Sequence, residues 1–290
     1  MPFTETALAL NPRGFSYSQL KIAIKCPFQY IKKYVEREKP TNETDLTKVN
    51  IGRIAHAIFE HAILKASSHN TELSSVQIMD IVSEACDDVA SMKNITEMEY
   101  NEAIGFEQSI AVMLNRILLF QRRTQAKLYP ELKLAIDKEF NPCDYDDKNV
   151  FFKSVLDLVI VQPNGAISVV DHKTGYKTNK PYVDQLNIYE VLAAFALAPQ
   201  LLAEDGIQVS LIRAGLCFLE YEEMSWNDAK TLDHIKTHGK SWFIDWVNKL
   251  SDSALTEKIN RGNHCNRCGY RSFCGSKVGT RKKKTSDITM

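Results

Sequence analysis

Between residues 134 and 171 the chain carries three β-branched or alternating runs in close succession: Leu134 to Phe140, Val150 to Val161 and Ile167 to Asp171. Turn signals separate them at Asn141-Pro142, Asp144 to Asn149 and Pro163-Asn164-Gly165. They predict three consecutive strands of a meander. A helix from Pro181 to Ala198 follows, with Pro181 suited to the first turn and Pro199 closing it. Ile207 to Tyr221 reads as a further strand, interrupted at Gly215, and Ser225 to Leu250 as a helix opened by a Ser-Trp-Asn-Asp cap. The expected core is β-β-β-α-β with helices on either side, an α/β fold.

Upstream, residues 16 to 35 place Leu20 and Ile24 at helical spacing behind Ser16 or Ser18 as N-cap. The pattern breaks near Pro27, so Cys26 falls where one helix hands over to another. Thr41 to Asn50 is polar and reads as a loop, and Gly52 opens a helix. Ile54 to about Leu128 is helical with polar interruptions at Ser67 to Ser75 and around Asn94, which predicts a helical insertion or cap. The 290 residues are treated as one body. Its expected parts are an N-terminal segment at 16–50, a helical insertion at 52–130, a core at 131–250, a cysteine-bearing segment at 258–276 and a basic tail at 277–290.

Charge and apolar content exclude little. Basic and acidic side chains number 36 each, and 44% apolar with 25% charged residues is ordinary for a globular protein. Local charge says more, because Lys258 to Lys284 holds nine Lys or Arg and no acid. That end is either a phosphate-contacting surface or, for Arg281 to Lys284, a solvated tail. The longest plainly apolar run, Val191 to Ala198, is far short of the roughly 20 residues of a membrane span, and no leader pattern opens the chain. A cytoplasmic protein without a membrane partner is expected.

Seven cysteines without a secretory signal point to metal or reactive chemistry rather than to a disulfide framework. Cys265, Cys268 and Cys274 stand as C-x2-C-x5-C, and Cys26 opens Cys-Pro-Phe-Gln-Tyr more than two hundred residues earlier. The four thiolates suit a 4Fe-4S cluster or a tetrahedral zinc that could recruit His264. Spacing alone leaves both open. Cys86, Cys143 and Cys217 lack partners at ligand spacing and read as small buried hydrophobes.

Asp171-x-Lys173 closes a hydrophobic strand, and Asp157 lies on the preceding one, fourteen residues earlier. Two carboxylates on neighbouring strands can reach one point and hold a hard cation such as Mg²⁺. Residues two apart on a strand share a face, so Asp171 and Lys173 aim at one site while His172 points away and offers its carbonyl. Lys173 can then orient water or neutralise a pentacovalent phosphate beside the metal.

His56 in Gly52-Arg-Ile-Ala-His56, Glu139 in Asp-Lys-Glu139-Phe, Asp157, Asp171-His-Lys173-Thr174-Gly175 and Gln185-Leu-Asn-Ile-Tyr189 stand in this order. The set resembles the PD-(D/E)XK nuclease superfamily, and within it the RecB-like branch of CRISPR-associated exonucleases and AddB nuclease domains. The resemblance runs from Cys26 to Cys274. It implies a restriction-endonuclease-like core, a mixed central sheet flanked by helices. His56, Asp157, Asp171 and the His172 carbonyl would hold Mg²⁺ or Mn²⁺, and Lys173 would be the catalytic lysine. Gln185 and Tyr189, four apart on one helical face, match the family's Gln-x-x-x-Tyr motif, and Glu139 matches a supporting glutamate of the first strand. The chain departs from many relatives in Ser154-Val-Leu-Asp157-Leu-Val-Ile, which lacks their glycine before the aspartate and their Arg-x-Asp after it.

Iron-sulfur members of that branch carry one cysteine before Pro upstream and C-x2-C-x5-C downstream, which favours 4Fe-4S over zinc at Cys26, Cys265, Cys268 and Cys274. Such a cluster would staple the N- and C-terminal segments together. Arg267, Tyr270, Arg271 and Phe273 would contact single-stranded DNA or pack around the cluster. The implied activity is a metal-dependent DNA exonuclease acting on single strands or free ends in recombination, repair or end-processing. The second reading is a DNA-binding or assembly subunit of a recombination or CRISPR-type complex, and a zinc regulatory protein is the third. No phosphate loop occurs, so any helicase is a separate partner. A homo-oligomer is left open.

Overall fold

A computed structural model describes the chain except residues 1–2, 6–13, 42–46, 70, 92–94, 176, 178–181, 256–258 and 275–290. Pro181 and the basic residues at 258, 277 and 281–284 lie outside the described residues. In chain order the described helices are α1 (Tyr17–Lys25), α2 (Pro27–Tyr30), α3 (Thr47–Ser67), α4 (Ser75–Ala90), α5 (Glu97–Ile104), α6 (Glu107–Thr124), α7 (Val183–Leu192), α8 (Ala198–Asp205), α9 (Leu232–His234) and α10 (Lys240–Leu255). The strands are β1 (Lys127–Ile136), β2 (Phe152–Val161), β3 (Ala166–Lys173), β4 (Leu211–Phe218), β5 (Glu223–Trp226) and β6 (Lys230–Thr231).

The chain separates into two compact units, one of Met1–Tyr17 with Leu46–Asn248 and one of Ser18–Asp45 with Lys249–Met290. In the larger unit the sheet runs β1-β2-β3-β4-β5, with β6 pairing β4. The first three strands form the expected antiparallel meander, while β3 and β4 are parallel, with α7 and α8 in the connection between them. A mixed six-stranded sheet flanked by helices is the restriction-endonuclease-like α/β fold. Gly165 makes the β2–β3 turn with φ +83, and a Cβ there would meet the Gln208 carbonyl oxygen at 2.0 Å.

The helical segment folds as its periodicity requires. Ile54, Ala55, Ile58, Phe59, Ala62 and Ile63 recur along one face of α3 and are buried with Ile81, Val82 and Ala85 of α4 and Ile110, Leu114 and Ile117 of α6. Leu158, Ile160, Val170 and Cys217 of the sheet join this core. Ser74 and Thr96 cap α4 and α5 through capping boxes with Gln77 and Glu99.

Four boundaries differ from the sequence expectation. α3 starts at Thr47, inside the expected loop. β1 runs from Lys127 to Ile136 rather than from Leu134 to Phe140, with Pro130 and Glu131 inside it; an edge strand tolerates a proline that a central strand would not. The helix after β3 does not stop at Pro199. A π-helical turn at Ala193–Leu197 widens the backbone ahead of it, and α8 continues to Asp205. Residues 223–231 form β5 and β6, and the cap of the following helix is Thr231, whose Oγ1 accepts from the His234 N–H at 3.2 Å. The whole stretch Val183–Asp205 is long and apolar enough to cross a membrane, unlike the shorter run expected, but two-thirds of it is buried within the protein.

The smaller unit brings together two segments far apart in sequence. Cys26 is the N-cap of α2, at the expected handover. The Thr41 N–H donates to the Gly269 carbonyl at 2.8 Å, and the Thr41 and Ser272 hydroxyls lie 2.5 Å apart. Asn263–Arg267 forms a 3₁₀ turn around Cys265.

Candidate active site

Register collects the acids. Pro130 pairs with Leu158 and Leu132 with Leu156, so Glu131 of β1 lies across from Asp157 of β2. Leu158 pairs with Val170, and one step further sets Asp157 across from Asp171 of β3. Directly opposed residues share a sheet face, and three carboxylates therefore form one rung across three strands. Glu131 interrupts β1 with φ +47, a conformation that a side chain rarely adopts and that recurs at functional sites.

His56 stands beside this rung on α3. Its Nδ1 is 3.3 Å from Asp157 Oδ2, which also accepts from the His172 N–H at 2.7 Å. The ligand atoms of His56, Glu131 and Asp157 all lie within 4.8 Å of one another. On the opposite side Asp171 is 2% exposed and its Oδ1 accepts from Gln185 Nε2 at 2.8 Å and from the Tyr189 hydroxyl at 3.0 Å. Gln185 also donates to Tyr189 Oη at 2.5 Å, so the two α7 residues grip the acid as a unit. The Lys173 ammonium pairs with Asp171 Oδ2 and lies 4.8 Å from the Tyr182 ring centre.

His172 turns away from Asp171. Its ring is 2% exposed, packs 4.3 Å from Phe59 and meets His56 edge-on at 5.7 Å. Glu139 is not at the site. It follows the end of β1 in a turn, is exposed and pairs with Lys138. The acid contributed by β1 is Glu131, which the sequence reading passed over; the signal for it was the alternation Leu128, Pro130, Leu132, Leu134, which carries the strand through the proline.

The electrostatics of the acids suit a cation. Burial, then the neighbouring Asp171, holds the Asp157 carboxyl well above the usual carboxylate range. Burial, then Asp157 and Glu60, pushes Glu131 up to about 7. Burial lowers His56, and lowers His172 well below the ordinary imidazole range, so both rings are neutral donors at pH 7. Crowded carboxylates with a neutral imidazole are an O,O,N donor set that a divalent cation satisfies. His56, Glu131 and Asp157 fit such an ion, with Asp171 beside them.

Tyr189→Phe is expected to lower turnover about 10- to 150-fold, the value of one hydrogen bond to a charged acceptor. KM should stay unchanged, because the buried hydroxyl bonds to Asp171 and Gln185. A rise in KM at constant kcat would contradict that role.

The cysteines of the smaller unit are placed differently from a single-ion site. Among the described residues no three cysteine sulfurs lie within 4.8 Å of one another. Burial raises the Cys268 thiol, and Cys26, Cys265 and Cys274 raise it further as neighbours. The Gly262 N–H donates to Cys265 Sγ at 3.4 Å, and the Tyr270 backbone bonds to Cys268. Tyr270 is buried, whereas Phe273 is 40% exposed beside the Lys32 ammonium. Elsewhere burial pushes Cys86 to about 11, Cys143 to about 11 and Cys217 to about 12, leaving protonated, unreactive thiols.

A mixed sheet with acids in one rung, a strand-end Asp-x-Lys and a Gln/Tyr brace defines a metal-dependent nuclease core. The sequence profile of the PD-(D/E)XK nuclease superfamily matches residues 14–275, and the chain belongs to that superfamily. Comparison with curated proteins gives no match.

Proposed function

We propose that this chain is a Mg²⁺- or Mn²⁺-dependent DNA exonuclease of the RecB-like branch, acting on single strands or free ends in recombination, repair or end-processing. The observation that carries this reading is the rung Glu131–Asp157–Asp171 with His56 at one end and Lys173 at the other. His56, Asp157, Asp171 and the His172 carbonyl would hold the cation, with Glu131 as a further oxygen donor. When bound, the cation supplies Lewis-acid polarisation of the phosphoryl oxygen.

The chain's own residues supply the rest. Gln185 and Tyr189 fix Asp171 in one rotamer, which is the positional control that catalysis requires. Lys173, held between Asp171 and the Tyr182 ring, orients the attacking water and stabilises the charge that develops on the phosphate. The neutral imidazole of His56 sets Asp157 from the α3 side.

In the smaller unit we assign Cys26, Cys265, Cys268 and Cys274 to a 4Fe-4S cluster. The influence of Cys26, Cys265 and Cys274 on the Cys268 thiol and the N–H donors to Cys265 and Cys268 support it, since hydrogen bonds to sulfur accompany such clusters.

The test is cleavage of end-labelled single- and double-stranded DNA with Mg²⁺ or Mn²⁺ by the anaerobically purified chain, beside Asp171→Ala and Lys173→Ala. Cleavage by the parent alone, releasing label from single-stranded ends, is the expected result. An inert parent with full metal content would instead support the DNA-binding or assembly subunit.

A further inference from the structure

On the sheet face that carries Ser168 and Arg213, opposite to the face of the acidic rung because Ser168 and Asp171 are three apart on β3, a cavity of about 230 Å³ is lined by Arg116, Phe120, Ser168, Arg213, Met224 and Trp226, among others. It is built around Arg213. Gly215 lies across from Trp226 in the β4–β5 pairing, and a Cβ at Gly215 would fall 2.4 Å from the indole. Only glycine lets Trp226 lie close against the strand here, and the Arg213 guanidinium then sits 4.2 Å from that ring. Arg213 Nε donates to Ser168 Oγ at 2.9 Å, from a serine only 2% exposed. The terminal nitrogens of Arg213 have no partner among the described residues, and the Ser168 hydroxyl keeps its own proton to donate.

Neither arginine is neutralised. Among the described residues no carboxylate lies within 4.0 Å of Arg213 or Arg116, and Arg116 spends Nη1 on the Glu222 carbonyl and the Met113 sulfur. Burial alone acts on Arg213, lowering its pKa, with no acid to offset it. A partly buried cation without a counter-charge is costly, and a guanidinium fork matches the oxygens of a phosphate. The remaining walls, Phe120, Met224 and Trp226 with Ile117 and Ile160, suit a flat organic body. The volume is below the roughly 300 Å³ at which ordinary ligand pockets begin, so the cavity takes one nucleotide unit and no longer oligomer.

We propose that this cavity is a binding site for a nucleoside 5′-monophosphate, with the phosphate on Arg213, Arg116 and Ser168 and the base against the aromatic wall. The site is independent of the proposed nuclease activity. Binding of thymidine 5′-monophosphate, thymidine and inorganic phosphate to the full chain is measured by calorimetry and tryptophan fluorescence in EDTA, so that no metal recruits nucleotide to the acids.

The expected result is saturable binding of the monophosphate, at least about tenfold tighter than thymidine or phosphate alone, and weakened about tenfold or more in Arg213→Leu. Arg116→Gln, at an exposed position, gives a second reading if Arg213→Leu does not fold, and should weaken binding several-fold. Asp157→Asn should bind as the parent does. Equal affinity for thymidine, or binding indifferent to both arginine variants, would overturn the assignment.

Discussion

Asp157→Asn is expected to abolish metal-dependent cleavage and, in the same protein without metal, to raise the thermal midpoint. The first effect follows from position, since Asp157 bonds the His172 backbone, faces His56 and lies across from both other acids. Loss of one charged catalytic group is worth roughly 10²–10⁴ in rate. The second follows from the carboxyl being held well above its usual range by burial and by Asp171, so that its charged form strains the metal-free fold. Asn keeps the shape and removes the charge.

Glu131 adds a pH dependence with a definite sign. Its folded pKa of about 7 lies above its ordinary 4.5, so the stability it contributes is fully present below 4.5 and is lost as pH rises through about 7. In EDTA the midpoint should therefore fall across that window, and Glu131→Gln should flatten the slope. Saturating Mg²⁺ or Mn²⁺ should restore the midpoint at the alkaline end by binding only the folded protein. Differential scanning calorimetry at several pH values reads all three. A midpoint in EDTA that does not move with pH, or that drops in Asp157→Asn, would remove the electrostatic account of the rung.

Cys26→Ser tests the proposed cluster and is expected to bring the second large effect, a fall in iron content together with faster proteolysis in the unit of Ser18–Asp45 and Lys249–Met290. A cluster held by both Cys26 and Cys265 would close a loop of more than two hundred residues. In the chain-entropy picture such a closure is worth about 5 kcal/mol. Iron and sulfide analysis, the visible absorbance band and limited proteolysis of the two segments measure the outcome. Cys143→Ser is the control, because that half-buried thiol lies in the other unit. Full iron content in Cys26→Ser, or zinc in the parent, would refute the cluster assignment.

The helical segment was legible because its apolar residues keep one period for many turns, and local capping boxes at Ser74 and Thr96 agree with it. Asp171, Lys173, Gln185 and Tyr189 were legible for a similar reason: each pair lies on one element, at spacing two on a strand or four on a helix. Glu131 was not, since the proline before it hides the strand and only pairing with β2 sets it across from Asp157. Glu139 rests on its match to a supporting glutamate of the family's first strand, and a β1 that ends at Ile136 leaves it in solvent. The hairpin strands at 223–231 were missed because their ladder partners lie in β4 and local residues read as a helix cap.

The sequence by itself determined the meander, the helix that follows it, the strand-end Asp-x-Lys and its Gln/Tyr brace, because all rest on contacts between residues close along the chain. Only the tertiary structure decided that Glu131 of β1 joins Asp157 and Asp171 in one rung and that Glu139 does not. It also set Arg213 against Trp226. Those choices depend on register and on long-range packing, where a shift of one residue in a strand would turn every side chain to the other face.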